Sequence, residues 1–311
     1  MSDLAAEYRE FRARGGVVDL KSRVKLLFTG EDRVRFLNGQ VTANIAGAKT
    51  PSVLPACVTT VKGKLSADVF VSLGPSGILV DADAALAEAL PARFERYIIA
   101  DAVTMEDATE SIAIVHLLGM PLDSIPEAIR PQVLPSNRFG IAGWDFFPPF
   151  RKDLAPIWDE LARKFPVLSE ALLELIRIEQ GVPRWGHELD ADVLPAEAGL
   201  DRSHIDFHKG CYIGQEVISR IKSVGHVNRE LRGFVSASGA PLVRSARIFS
   251  ANAPEKELGR LTSSAFSFAL DRPIALGYLR RGAPGDGLLA ASADHPDAPV
   301  SLTLHPLPFV P

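Results

Sequence analysis

Cysteine is nearly missing from this chain of 311 residues: Cys57 and Cys211 are the whole complement. Two thiols cannot build the disulfide framework of a small secreted scaffold, and they suggest a reducing compartment. They are too few for an all-cysteine iron–sulfur cluster, and His208 with Cys211 falls short of a zinc ligand set, so no resident metal is expected. No apolar run approaches the roughly 18 residues of a membrane helix. Residues 1–14 are charged and lack the apolar core of a secretory leader. A soluble, cytoplasmic protein is therefore expected, with no membrane among its partners. An excess of one charge is lacking too. Lys and Arg number 34 against 38 Asp and Glu, a net −4, so no global field draws the chain to nucleic acid.

The remainder is ordinary globular composition, 47% hydrophobic and 23% charged. The length exceeds what one core usually holds, which implies two or three domains. Strand-like runs cover 24–28, 52–61, 65–73, 77–80, 103–106 and 112–118, with a hairpin signal at 61–64. Thr29 is expected to cap a helix over 31–38, with Asp32 as a weak capping-box partner and Gly39 as a left-handed C′ residue. Residues 84–99 read as helix broken by Pro91. Residues 121–149, with prolines at 121, 126, 131, 135, 148 and 149, read as an irregular surface connection, although Trp144, Phe146 and Phe147 need burial.

Further helices are expected over 154–164 and after Ser169, the second with Leu172, Leu173, Leu175 and Ile176 inward and Gly181 and Pro183 as stops. Strands and helices mix without a regular βαβα spacing, so the fold class is α+β. From His226 the texture changes to short strand runs at 232–236, 247–249, 258–263, 274–278 and 300–304, which suit a small barrel or sandwich.

Chemistry concentrates in Lys209-Gly210-Cys211-Tyr212-Ile213-Gly214-Gln215-Glu216. A helix is expected after Gly214, with Val217, Ile218 and Ile221 apolar. A cation two residues before the sulfur and a helix opening just after it both favour the thiolate. The alternative is a small hydrophobe buried under a turn. Cys57, in the apolar run with Val53, Leu54, Ala56 and Val58, is expected to be buried and inert. Lys209, Arg220, Lys222, Arg229 and Arg232 outnumber Glu216 and Glu230, which suits an anionic small ligand or a solvated face. Glu179 falls in the last turn of a helix, where the dipole opposes a carboxylate and some partner should offset the cost.

The 209–216 segment resembles the signature of the YgfZ family of folate-binding, iron–sulfur-maintenance proteins, relatives of the glycine-cleavage T-protein. Arg177-Ile178-Glu179-Gln180-Gly181 resembles the family's Arg-x-Glu-x-Gly segment. The 194–200 segment, Phe36-Leu37-Asn38-Gly39-Gln40-Val41-Thr42 and Lys62-Gly63-Lys64 are similar to further landmarks, so the resemblance spans nearly the whole chain. It implies two interleaved ferredoxin-like α+β lobes within 1–225 and a C-terminal β-barrel over 226–311, in a T-protein-like cloverleaf. It also implies tetrahydrofolate, or a one-carbon derivative, as cofactor. Glu179 would be the main pterin contact and Arg220 a partner for the glutamate tail. Arg177, Asn38, Gln40 and Gln215 would complete the binding set, with Cys211 and Lys209 as the reactive pair.

Three functions follow: a folate-dependent accessory protein that meets iron–sulfur assembly machinery or client proteins transiently, a one-carbon transferase, or a binding scaffold. Ala67, beside Asp68, stands where the transferases carry one of two paired aspartates. That departure argues against aminomethyl transfer.

Overall fold

The computed structural model describes residues 2–148 and 151–311; Pro149, expected in the irregular connection, lies outside them. The chain opens with α1 (Ser2–Arg14), β1 (Gly16–Asp19), β2 (Val24–Thr29) and α2 (Arg33–Gln40). It continues through β3 (Ser52–Thr59), β4 (Leu65–Leu73), β5 (Ile78–Ala82), α3 (Ala89–Glu95) and β6 (Thr104–Asp107). Then come β7 (Val115–Leu118), β8 (Leu134–Ser136), β9 (Gly143–Phe146), α4 (Leu154–Lys164), α5 (Glu170–Glu179) and α6 (Gln215–Val224). Six strands close the order: β10 (Arg229–Ser236), β11 (Arg247–Ser250), β12 (Gly259–Ser267), β13 (Arg272–Arg280), β14 (Leu288–Ala291) and β15 (Val300–His305).

Two antiparallel sheets share the first part of the chain. One runs β3-β4-β5-β2-β6 and the other β1-β7-β9-β8. The chain starts in the four-stranded sheet, builds the whole five-stranded sheet, and returns, so the two lobes are interleaved. Alternation in β4 fixes the five-stranded lobe: Ala67, Val69 and Val71 enter a core with Phe28, Phe36, Leu37, Leu90 and Phe94, while Asp68 and Phe70 take the other face. Each buried Phe contributes about 2–3 kcal/mol to that core. The last six strands close a barrel in the order β10-β13-β12-β11-β14-β15 around Phe234, Ile248, Leu261 and Leu279. The class is α+β, with two interleaved ferredoxin-like lobes and a C-terminal barrel.

Three expectations change. Gly39 is not a left-handed cap but lies inside α2, and Val41 N–H donates to Leu37 O at 3.1 Å. The Lys209 ammonium receives the α2 end instead, donating to the carbonyls of Asn38, Val41 and Ala43 at 2.6, 2.8 and 2.6 Å. A cation at a helix C-terminus does what the left-handed glycine would have done. At the start of α2, Asp32 rather than Thr29 is the N-cap, and its carboxylate accepts from Ala102 N–H at 2.9 Å rather than from the helix. The 121–149 stretch is not merely a connection: β8 and β9 complete the four-stranded sheet, and Phe146 is buried in its core.

Candidate functional site

Around Cys211 the backbone is held from both sides. Gly214 adopts φ +87°, and a Cβ there would sit 2.5 Å from Thr60 O, so only glycine passes. Ile213 N–H donates to Gly39 O at 3.2 Å, and Thr59 Oγ donates to Ile213 O. Cys211 is exposed on this pinned turn ahead of α6, whereas Cys57 is sealed in β3. Burial, then the Asp68 charge, pushes the Cys57 thiol up. Lys209, expected as the reactive partner of the sulfur, makes its hydrogen bonds to backbone carbonyls. Its ammonium is buried against the three carbonyls of the α2 end, and desolvation lowers its pKa to about 8. Gln215 is half-buried at the first position of α6. Arg220 is exposed and pairs with Glu216 at 2.7 Å, one turn away on the same helix.

The carboxylate at the end of α5 is closed rather than open. Glu179 is 2% exposed. Its Oε2 accepts from Tyr8 Oη at 2.9 Å, and its Oε1 accepts from Ser267 Oγ at 2.5 Å. Burial raises its pKa against those two hydrogen bonds. The partner demanded by the helix dipole thus comes from α1 and β12. Arg177 is equally enclosed, donating to Glu188 at 2.7 Å and Ser263 at 2.5 Å and pairing with Glu174. Asn38 spends its Oδ1 on Ile45 N–H at 3.0 Å, and Gln40 accepts from Arg93 at 3.0 Å. These four residues, expected in a binding set, all make contacts within the fold, and none of them adjoins Cys211 through a hydrogen bond.

A different carboxylate has one oxygen left without a partner. Asp68 lies on β4 directly across from Cys57, and its Oδ1 is shut from solvent with no hydrogen bond. Burial raises its pKa, with the Arg23 charge opposing. The neighbouring Phe70 ring lies under the Arg138 guanidinium at 4.2 Å and the Arg23 guanidinium at 5.7 Å, and meets His204 edge-on at 6.4 Å. Burial pushes His204 down to about 4, so it is neutral at physiological pH. The Tyr212 hydroxyl, which lies near enough to Cys57 to feel its charge, is also buried and unpartnered. A protonatable carboxyl beside an aromatic ring can accept hydrogen bonds from, and donate them to, a flat heterocycle. Ala67, by contrast, is fully buried in the core on the opposite face of β4. A carboxylate at that position would not share the face of Asp68.

Between α6 and the barrel lies a cleft of about 480 Å³ lined by Glu197, Phe207, Ile221, Lys222 and Arg232, among others. Neither Cys211, Glu179 nor Asp68 faces it. No group of three or more His, Cys, Asp or Glu is placed to hold a metal among the described residues. No helix among them is long and apolar enough to cross a membrane.

Sequence reasoning singled out Cys211 and its turn, gave Asp68 a minor part, and did not single out Phe70, Arg23 or Arg138. The available signal was an acid on the face of an alternating strand opposite the core, with an aromatic two residues on.

Residues 229–310 match the family model of the glycine cleavage T-protein C-terminal barrel domain. The whole chain superposes on the glycine cleavage system aminomethyltransferase T from Bartonella henselae with a TM-score of 0.83 at 18% identity, covering 99% of this chain and 89% of that one. The fold is therefore that of the T-protein. The chain is 25% identical over 251 residues to the mitochondrial iron–sulfur cluster assembly factor IBA57 homologue of Dictyostelium discoideum, which covers 69% of this chain and 61% of that protein. It is 26% identical over 339 residues to an aminomethyltransferase of Thermus thermophilus, covering 100% of this chain and 91% of the relative. Its sequence relatives thus include both assembly factors and aminomethyltransferases.

Proposed function

We propose that this chain is a tetrahydrofolate-binding accessory protein for iron–sulfur cluster assembly or repair, and that Cys211 is its reactive group. The observation that carries the reading is the contrast between the two thiols: one is sealed behind β3, while the other is exposed on a turn that Gly214 and Thr59 hold rigid. The similarity to the assembly-factor homologue and the 209–216 signature support the same conclusion. With one exposed cysteine, any cluster contact is shared with a partner rather than held within the chain.

The folate face is the Asp68 side of β4. A pterin ring offers adjacent N–H donors, and the sealed Asp68 Oδ1 is an acceptor in need of one. Glu179, the carboxylate suggested by resemblance, takes part only if Tyr8 or Ser267 releases it. Lys209 supports the site by fixing the α2 end against the 209–214 turn. The test is a titration of tetrahydrofolate into wild-type, Asp68→Asn and Glu179→Ala proteins, with Cys211→Ser examined for restoring iron–sulfur enzyme activity in cells that lack the protein. Wild-type binding that Asp68→Asn weakens, together with a failed Cys211→Ser rescue, is expected. Unchanged binding by Asp68→Asn and full rescue by Cys211→Ser would sink the assignment.

A second reading, folate-dependent one-carbon transfer, is favoured by Asp68, whose carboxyl is pushed by burial above the usual carboxylate range and could exchange a proton with a bound ligand. Formation of methylenetetrahydrofolate in a reconstituted glycine-cleavage assay would select it.

A further inference from the structure

Arg138 belongs to the four-stranded lobe by sequence, in the loop between β8 and β9, yet its side chain reaches the other lobe. Its Nε donates to Asp145 Oδ2 on β9 at 2.8 Å. Its Nη1 and Nη2 donate in parallel to the two carboxylate oxygens of Asp81 on β5, at 2.8 and 2.9 Å. The same guanidinium plane covers the Phe70 ring at 4.2 Å, and Phe70 lies across from Asp81 in the β4–β5 ladder. Asp145 is fixed from behind by His116 Nδ1 at 2.7 Å. Gly143 leaves room for that imidazole, since a Cβ there would lie 2.8 Å from Nε2. Arg138, Asp81, Asp145 and His116 are all buried.

Two carboxylates around one guanidinium exceed what packing alone requires. Burying a charge is costly unless it is paired, and a planar fork that is bidentate to one acid and stacked on a ring fixes direction as well as charge. Arg23 already pairs with Asp81 from the five-stranded lobe itself, so Asp81 is not in need of a cation. What Arg138 adds is a tie from one lobe to the ring beside Asp68.

We propose that Arg138 is a positioning residue: anchored by Asp145 in the four-stranded lobe, it holds Phe70 and Asp81 and thereby fixes the surface that presents Asp68. The proposal rests on Asp68 marking the ligand face. The charged and titratable groups around Asp68 are Arg23 ahead of β2, Cys57 on β3, and Asp81 and Asp83 at the end of β5. Arg138 reaches Asp68 through Asp81. Without Arg138, the Asp81 charge is compensated by Arg23 alone, its repulsion of the Asp68 carboxylate grows, and Asp68 ionises at higher pH.

The experiment uses the full chain as wild type, Arg138→Met, Arg138→Lys and Asp145→Asn. It reads the Asp68 titration midpoint by carboxyl carbon NMR, tetrahydrofolate affinity by titration, and the thermal midpoint. Arg138→Met should raise the Asp68 midpoint and weaken tetrahydrofolate by roughly tenfold through the freed ring. Arg138→Lys should restore the midpoint but not the affinity, because an ammonium supplies charge without the planar fork. Asp145→Asn keeps the Arg138 charge on Asp81, so it should leave the Asp68 midpoint near wild type while weakening tetrahydrofolate through the loosened ring, and it serves as the decisive variant if Arg138→Met does not fold. A folded Arg138→Met protein with the Asp68 midpoint unmoved, or a folded Asp145→Asn protein with wild-type affinity, overturns the proposal. If wild type fails to bind tetrahydrofolate while the midpoints move as stated, the folate reading falls and the positioning role of Arg138 stands.

Discussion

Two carboxylates, Glu179 and Asp68, occupy opposite kinds of environment in the same molecule. At the junction of α5 and the barrel, Glu179 has both oxygens hydrogen-bonded and Arg177 beside it is clamped by Glu188 and Ser263. On the β4 face, Asp68 keeps a sealed oxygen with no partner, next to a ring that lies under two arginines. A polar network with every member satisfied holds domains together, whereas one left partly unsatisfied retains an energetic reason to accept a ligand. On the proposed reading the first region serves stability and the second binding, and the comparison can be broken at several points.

The largest effect is expected at Arg177. Arg177→Met strands the fully buried Glu188 carboxylate, which should cost about 3–5 kcal/mol in a chemical-denaturation midpoint. Tetrahydrofolate affinity of the remaining folded protein should be unchanged. A loss of affinity at an unchanged unfolding midpoint would move Arg177 into the binding region.

Asp68→Asn comes next and should act in the reverse sense. It should weaken tetrahydrofolate by about 10- to 150-fold, the worth of a hydrogen bond to a charged group, while raising stability near neutral pH. The sign follows from the raised folded pKa. Between the unfolded and folded values the native state holds the extra proton, so wild-type stability falls as pH rises through that window. The neutral amide removes this loss, and the advantage of Asp68→Asn should vanish in acid, below the unfolded pKa. Denaturation curves across pH that stay parallel would refute the buried-acid account.

The two thiols give a smaller but cleaner separation. Cys211 should be alkylated in the native protein and Cys57 only on unfolding, with peptide mapping as the readout. Comparable native labelling of both would mean that β3 opens readily. The least effect is expected from Arg220→Ala, which removes an exposed pair on one helix face. Its unfolding midpoint should match wild type within error, while a drop in tetrahydrofolate affinity would restore Arg220 to the glutamate-tail role.

Locally encoded features could be read from the sequence. Ser169 caps α5 by accepting from Leu172 N–H, and Leu172, Leu175 and Ile176 are buried as their spacing requires. The barrel strands followed from alternation and turn residues, apart from the short β14. Features that depend on distant pairing could not be read. β8 carries Pro135, which an edge strand tolerates and a sequence pattern reads as loop. The role of Lys209 required knowing that the α2 end, far away in sequence, presents its carbonyls there. Arg138 resembled any loop arginine until β9 placed Asp145 beside it and β5 placed Asp81 opposite.

The interleaving of the two lobes also sets an order of assembly on the ribosome. The five-stranded sheet uses residues between 24 and 107 and is joined largely through neighbouring strands, so it can close as soon as that stretch emerges. β1 was synthesised earlier, yet its register partners, from Val115 to Leu118, arrive after that entire sheet. During synthesis it waits as an unpaired strand carrying Val17 and Val18, a site where a nascent chain can pair wrongly. The early closure of the inserted lobe, which brings the two ends of the interval together, shortens the search that β1 must make. The same threading makes the four-stranded lobe, and with it the loop that carries Arg138, the later of the two to form.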